Sequence, residues 1–204
     1  MERAAGVVLA GGRSRRIGTD KARLPFGDTT LLRHVVRRVA AACAPVCVVA
    51  SSSDAYPKLG VPVVTDRVPG RGPLEGLAVG LRHVPTPCAA VVACDLPFVN
   101  PALLRGLVTR LGTADAAVPY TDRPQPLCAV YRREVFHLAA TLAEEGASLQ
   151  ELLRRLRVRF LGPEALRAWD PDLASFWNVN TPEDYARAVE ALAREGQRTR
   201  PSPL

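Results

Sequence analysis

Apolar positions along the chain alternate between two spacings. Unbroken apolar runs at 7–10, 46–50, 61–65 and 89–93 read as short buried strands. Between them the spacing changes to that of a helix. Leu31, Leu32, Val35, Val36, Val39 and Ala40 form one stripe over 31–42, with Thr29-Thr30 before it as a cap and Pro45 after it as a stop. Helices are predicted over 74–81, with Pro73 at its start, and over 102–111, opened by Pro101. The second half adds strands at 114–118, 127–131 and 158–161 and helices at 134–144, 148–156 and 182–194, the last capped by Thr181. Strands that are apolar throughout and alternate with helices predict an α/β protein, with a mostly parallel sheet covered on both faces.

In such a sheet, ligands bind beyond the carboxyl ends of the strands. The predicted strands end in a consistent way: the first in Gly11-Gly12, the second in Ser51-Ser52, the third in Asp66 and the fourth in Asp95. These polar ends fall on one edge, where a pocket forms. After Gly11-Gly12 comes a basic segment with Arg13, Arg15, Arg16 and Lys21. Glycines let backbone N–H groups approach a phosphate closely. The spacing is neither G-x-G-x-x-G nor G-x-x-x-x-G-K-[ST], so the loop is neither the ordinary dinucleotide fingerprint nor a P-loop. Phosphate binding remains the better reading of this loop. A carboxylate beside bound phosphates, such as Asp95, suits Mg²⁺, which takes few protein ligands and keeps its waters.

Charge and composition sharpen this picture. The net charge is +7, yet aromatic residues make up only 5% and no basic patch is interleaved with them, so nucleic acid is not the expected partner. Of 27 basic residues only Lys21 and Lys58 are lysines. A chain that uses arginine almost everywhere keeps a compact ammonium beside the glycine loop, where one phosphate oxygen is to be met. Cys43, Cys47, Cys88, Cys94 and Cys128 show no C-x-x-C spacing and read as buried free thiols. No apolar run is long enough to span a bilayer and no leader is evident, so a cytoplasmic protein without a membrane partner is expected. The length suits one domain, taken as 1–195, followed by a disordered tail over 196–204.

The segment LAGGRSRRIGTDKARLPFG resembles the L-A-G-G-x-S-x-R-M-G-x-D-K-x-x-L signature of MobA-like nucleotidyltransferases. GPLEGL, CDLPF, QPLCAVY and FWNVNTPEDY are similar to later motifs of that family, in the same order, so the resemblance spans 6–193. PLCAVY and NVNTPED are similar in particular to the molybdenum cofactor guanylyltransferases. The resemblance implies a three-layer α/β/α, Rossmann-like nucleotide-diphospho-sugar transferase fold. It also implies transfer of GMP from GTP to Mo-molybdopterin with release of pyrophosphate. Molybdenum-insertion and molybdoenzyme maturation proteins are the implied partners.

Carried over by position, the resemblance assigns Leu9, Ala10, Gly11 and Gly12 to the nucleotide, Lys21 to its phosphates, Asp66 to the nucleoside and Asp95 to Mg²⁺. Lys21, Asp95 and Arg16 form the implied catalytic set. Ser51 stands where the family often has Asn at the nucleotide. Arg16, Gln125, Asn178 and Asn180 fall toward the pterin. Read on their own residues, Gln125 serves equally to open a strand, and Asn178 and Asn180 to orient the last helix. Ile17 replaces the usual Met with a side chain of similar volume. A cytidylyltransferase for the same cofactor and a nucleotidyltransferase for sugar or other small-molecule phosphates share the same machinery. A non-catalytic nucleotide-binding regulator is the alternative of another class, against which Lys21 and Asp95 argue.

Overall fold

Successive side chains of β1 (Ala5–Ala10) point to opposite faces, and all six residues are buried. Val8 and Ala10 enter one apolar cluster; Ala5, Val7 and Leu9 enter another on the far side. A strand buried on both faces must be covered by two layers, and the rest of the chain supplies them. The computed structural model describes residues 4–10, 20–53, 55–57, 59–65 and 72–198. After β1 come a 3₁₀ turn at Lys21–Arg23, a small hairpin of β2 (Pro25–Phe26) and β3 (Thr29–Thr30), and α1 (Leu31–Ala40). Next are β4 (Val46–Ala50), β5 (Val63–Thr65), α2 (Pro73–His83), β6 (Cys88–Ala93) and α3 (Pro101–Leu111). The second half holds β7 (Ala116–Pro119), β8 (Cys128–Arg132), α4 (Val135–Glu144), α5 (Leu149–Arg155) and β9 (Val158–Leu161). The short α6 (Pro163–Arg167), a 3₁₀ turn at Ala174–Phe176 and α7 (Pro182–Arg198) complete it. No helix among the described residues is long and apolar enough to cross a membrane.

Seven strands form one sheet in the order β5-β4-β1-β6-β8-β7-β9. Every neighbouring pair is parallel except those involving β8, which is antiparallel to both β6 and β7. The chain between β7 and β8 is too short for a crossover helix, so β8 must return antiparallel. On one face α1 and α3 pack through Leu32, Val35, Leu103 and Leu107; on the other α2, α4 and α5 pack through Leu77, Leu81, Leu142 and Leu152. The three-layer α/β/α arrangement expected from the sequence is therefore present. Close contact between layers depends on Gly80 in α2. A Cβ built there would lie 2.3 Å from Val7 Cγ1 on β1.

Helix ends follow the capping expected of them. Thr30 accepts from Arg33 N and Asn100 from Ala102 N. The α1 stripe is narrower than its apolar spacing implies: residues 31, 32, 35, 36 and 39 are buried, while Ala40 faces solvent. In the hairpin, β2 lies in the stretch 11–27 expected to be loop and β3 on the Thr29-Thr30 pair expected only as a cap, and α6 lies where no element was expected. Both are too short to carry a periodicity. Helix α7 reaches Arg198, past the predicted end at 194.

Candidate active site

The carboxyl edge of the sheet is where the backbone delivers the chemistry. At the end of β1, Leu9 O accepts from Cys94 N at 3.0 Å, so the chain leaving β6 turns beside β1 and presents Asp95. In the next described segment after β1, Asp20 caps the 3₁₀ turn by accepting from Ala22 N at 3.1 Å. Tyr56 braces that cap, donating its hydroxyl proton to Asp20 Oδ2 at 3.0 Å. Burial first, then the Asp20 charge, pushes the Tyr56 hydroxyl up, so it remains a donor. This turn starts at Lys21 and so fixes where the ammonium can reach.

A third segment comes from the lead-in to α7. Asp184 Oδ2 accepts from Asn180 N at 3.1 Å and Thr181 N at 3.0 Å, while Thr181 Oγ1 accepts from Asp184 N at 3.1 Å. This reciprocal cap orients the segment 178–181. A small aromatic cluster of Phe26, Phe98 and Trp177, with Leu31 and Val179, holds it against the hairpin and the Asp95 loop. Val179 N donates to Asp95 O at 2.9 Å.

The three segments meet at Lys21. Its Nζ donates to Asp95 Oδ2 at 3.2 Å, to Val179 O at 3.0 Å and to Asn180 Oδ1 at 3.0 Å. The pair lies at the wall of a cavity of about 590 Å³ that also reaches the turn 123–127 before β8 and the first turn of α5. Asp95 Oδ1 is buried and has no hydrogen-bond partner among the described residues. Leaving such an atom unpaired costs about 1–3 kcal/mol or more for a charged group.

The sequence model of the MobA-like NTP transferase domain matches residues 6–160. The chain belongs to this family. A relative from Chloroflexus aggregans named probable molybdenum cofactor guanylyltransferase is 38% identical over 188 residues, 88% of this chain and 90% of that protein. The crystal structure of molybdopterin-guanine dinucleotide biosynthesis protein A from Archaeoglobus fulgidus superposes with a TM-score of 0.82 at 30% identity, covering 93% of this chain and 99% of the other. Rv0371c from Mycobacterium tuberculosis, crystallised in complex with manganese, is 26% identical with a TM-score of 0.68, over 93% and 98% of the two chains. This MobA-like chain is thus an enzyme of the nucleotidyltransferase class.

Of the residues expected at its site, Leu9, Ala10, Lys21, Asp95, Gln125, Asn178 and Asn180 line this cavity. Gly11, Gly12, Arg16 and Asp66 lie outside the described residues. Ser51 is exposed directly after β4 and is not among the described residues that line the cavity. Gln125 is held in its turn, its amide donating to Thr121 Oγ1 at 2.9 Å, and Asn178 donates to Phe176 O at 3.2 Å. Asn180 turns toward Lys21 instead. Asp20, Arg123 and Gln150 also line the cavity and were not anticipated. Asp20 carried a signal, its place next to Lys21; Gln150 sits on an exposed helix turn and carried none. All five cysteines are buried and outside any disulfide, as expected. Burial pushes the Cys94 thiol, at the cavity wall, up to about 12, which removes it as a nucleophile.

Proposed function

We propose that this MobA-like transferase joins GMP from GTP to Mo-molybdopterin and releases pyrophosphate, with residues 1–195 acting as one domain. The observation that carries the reading is the meeting of Lys21 and Asp95 on one cavity at the carboxyl edge of the sheet. The name of the Chloroflexus relative supports guanylyl transfer in particular. The chemistry needs no covalent enzyme intermediate. An acceptor phosphate oxygen attacks the α-phosphorus of GTP in line. The bond to the bridging oxygen breaks, and its electron pair leaves on pyrophosphate.

Catalysis is then positioning and charge neutralisation. The ends of β1 at Leu9 and Ala10 face the nucleotide, joined by Gly11, Gly12 and Asp66. Lys21 takes up charge that builds on the leaving pyrophosphate. Gln125, Asn178 and Arg16 face the acceptor. Asp95 is the carboxylate that would hold Mg²⁺: it lines the cavity and its side chain keeps 20% of its surface exposed. The manganese in the Rv0371c crystal supports a divalent ion here. Mg²⁺ takes few protein ligands, so phosphate oxygens and water would complete its shell beside Asp95. When bound, the ion neutralises phosphate charge. Molybdenum-insertion proteins upstream and molybdoenzyme maturation proteins downstream are the partners this reaction calls for.

The test is incubation of the protein with Mo-molybdopterin, Mg²⁺ and either GTP or CTP, with the product read by mass and pyrophosphate release measured in parallel. The guanine dinucleotide is expected. A cytosine dinucleotide alone would reassign the nucleobase, and no product with either nucleotide would end the reading.

A further inference from the structure

The two oxygens of Asp95 are in unlike places. Oδ1 is buried and unpaired among the described residues, whereas Oδ2 carries Lys21 Nζ at 3.2 Å. The side chains of Lys21 and Asp95 keep 16% and 20% of their surface exposed. A cation arriving through the cavity therefore meets an ammonium on the open oxygen and finds the other oxygen out of reach. A divalent ion such as Mg²⁺ ligates an oxygen at about 2.0–2.1 Å. Placed there with the ammonium still on the same carboxylate, it would suffer strong like-charge repulsion in a site only partly open to water.

Nothing within the described protein pulls Lys21 away. An ammonium has three protons, and Asp95 Oδ2, Val179 O and Asn180 Oδ1 accept all three. Two of these acceptors belong to the lead-in of α7, which Asp184 and Thr181 cap and the Phe98–Trp177 contact secures. The ammonium is thus tethered on Asp95 by a rigid segment, with its hydrogen-bonding capacity filled. Only a stronger anion in the cavity changes that balance.

We propose that Lys21 is the resident counter-ion of Asp95, and that a divalent cation gains Asp95 only when an anionic phosphate ligand draws the ammonium off. The inference rests on the reading of Asp95 as the metal carboxylate. It makes metal and nucleotide binding cooperative, each raising the affinity for the other by the same factor. The empty enzyme then holds its carboxylate neutralised and idle. The segment 178–181 becomes part of the metal's control, with Asn180 positioning Lys21 rather than meeting the acceptor.

Binding of Mn²⁺ to the ligand-free 204-residue chain, followed by the electron paramagnetic resonance signal of the free ion, tests this without turnover. Wild type should bind weakly. Lys21→Met, which keeps the chain length and removes the charge, should bind about tenfold tighter or more. Lys21→Gln serves as a second neutral variant, and far-UV circular dichroism checks that each is folded. The gain should vanish in Lys21→Met/Asp95→Asn. Equal affinity in wild type and both folded neutral variants, with binding still dependent on Asp95, overturns the counter-ion role and leaves Asp95 as the ligand. Binding that survives Asp95→Asn removes the metal reading itself.

Discussion

Val179 N donates to Asp95 O at 2.9 Å, and Val179 O accepts from Lys21 Nζ at 3.0 Å. Val179, in the segment leading into α7, therefore ties the loop after β6 to the turn that carries the lysine. The arrangement spans 158 positions in sequence between Lys21 and Val179. The link to Asp95 is main chain to main chain, so side-chain substitutions at Asp95 should leave it standing, whereas the link to Lys21 is made by the side-chain ammonium and is lost when Lys21 is replaced.

Asp95→Ala is accordingly expected to fold normally and lose nucleotidyl transfer. Loss of one charge-stabilising contact costs about two to three decades in rate. Steady-state pyrophosphate release, with circular dichroism as the fold control, measures it. A near-normal rate in a folded variant would contradict the role given to Asp95.

Lys21→Arg keeps the charge but changes its shape. Three acceptors converge on one nitrogen here, within 3.2 Å. A planar fork spreads its donors and cannot satisfy that geometry. Turnover with GTP should fall by about tenfold or more. Unchanged kinetics would mean that position 21 requires charge alone.

Gly80→Ala should destabilise the fold although alanine favours helix. The added Cβ would meet Val7 Cγ1 at 2.3 Å and Cγ2 at 3.2 Å, with Val49 Cγ2 also at 3.2 Å, so rotating Val7 does not clear the space. Overpacking of this kind costs about 1–3 kcal/mol, against a helix-propensity gain of about 1 kcal/mol. The net loss should appear in thermal unfolding as a Tm lower by roughly 2–4 °C for each kcal/mol lost. An unchanged or higher Tm would show that α2 can shift away from β1.

The thiols should be silent in the native protein. Burial pushes Cys43 and Cys128 up to about 12 and Cys47 to about 11, so almost no thiolate exists near neutral pH. Iodoacetamide at mildly alkaline pH should label none of these three until urea unfolds the chain. Rapid native labelling of any one, read by mass, would show that its layer opens.

Asp115 gives the fold an acid-sensitive clamp. Its carboxylate accepts from Arg157 N at 2.9 Å and Nε at 3.1 Å through Oδ2, and from Nη2 at 2.6 Å through Oδ1. The Arg157 hydrogen bond holds the Asp115 carboxyl below its ordinary value. The stability it contributes is complete above the unfolded carboxylate value of about 3.9 and is lost as pH falls through the lower folded value. Asp115→Asn should therefore be less stable than wild type at neutral pH, with the difference shrinking in acid. Denaturant midpoints at several pH values check this, and a difference that grew in acid would contradict it.

Much of the site was legible because its signals are local. An apolar run that ends in a polar residue marks a strand's carboxyl end, and this alone put Asp95 at the edge where the cavity lies; Gly11 and Asp66, assigned there by the same reasoning, lie outside the described residues. Lys21 stood out because the chain otherwise favours arginine. At Ser51 the strand end carries a polar residue that is exposed and is not among the described residues lining the cavity. Asn180 was assigned by resemblance to the acceptor, whereas its carbonyl oxygen accepts from Lys21.

The amino-acid order by itself determined the strands, most helices, their caps and the edge on which the chemistry gathers. These follow from spacing within a few residues, and spacing survives whatever packs around it. Tertiary structure decided the order of the strands, the reversal of β8 and the tethering of Lys21 by the segment before α7. Those depend on which apolar faces meet and which donor finds which distant acceptor, and short-range periodicity carries no record of either.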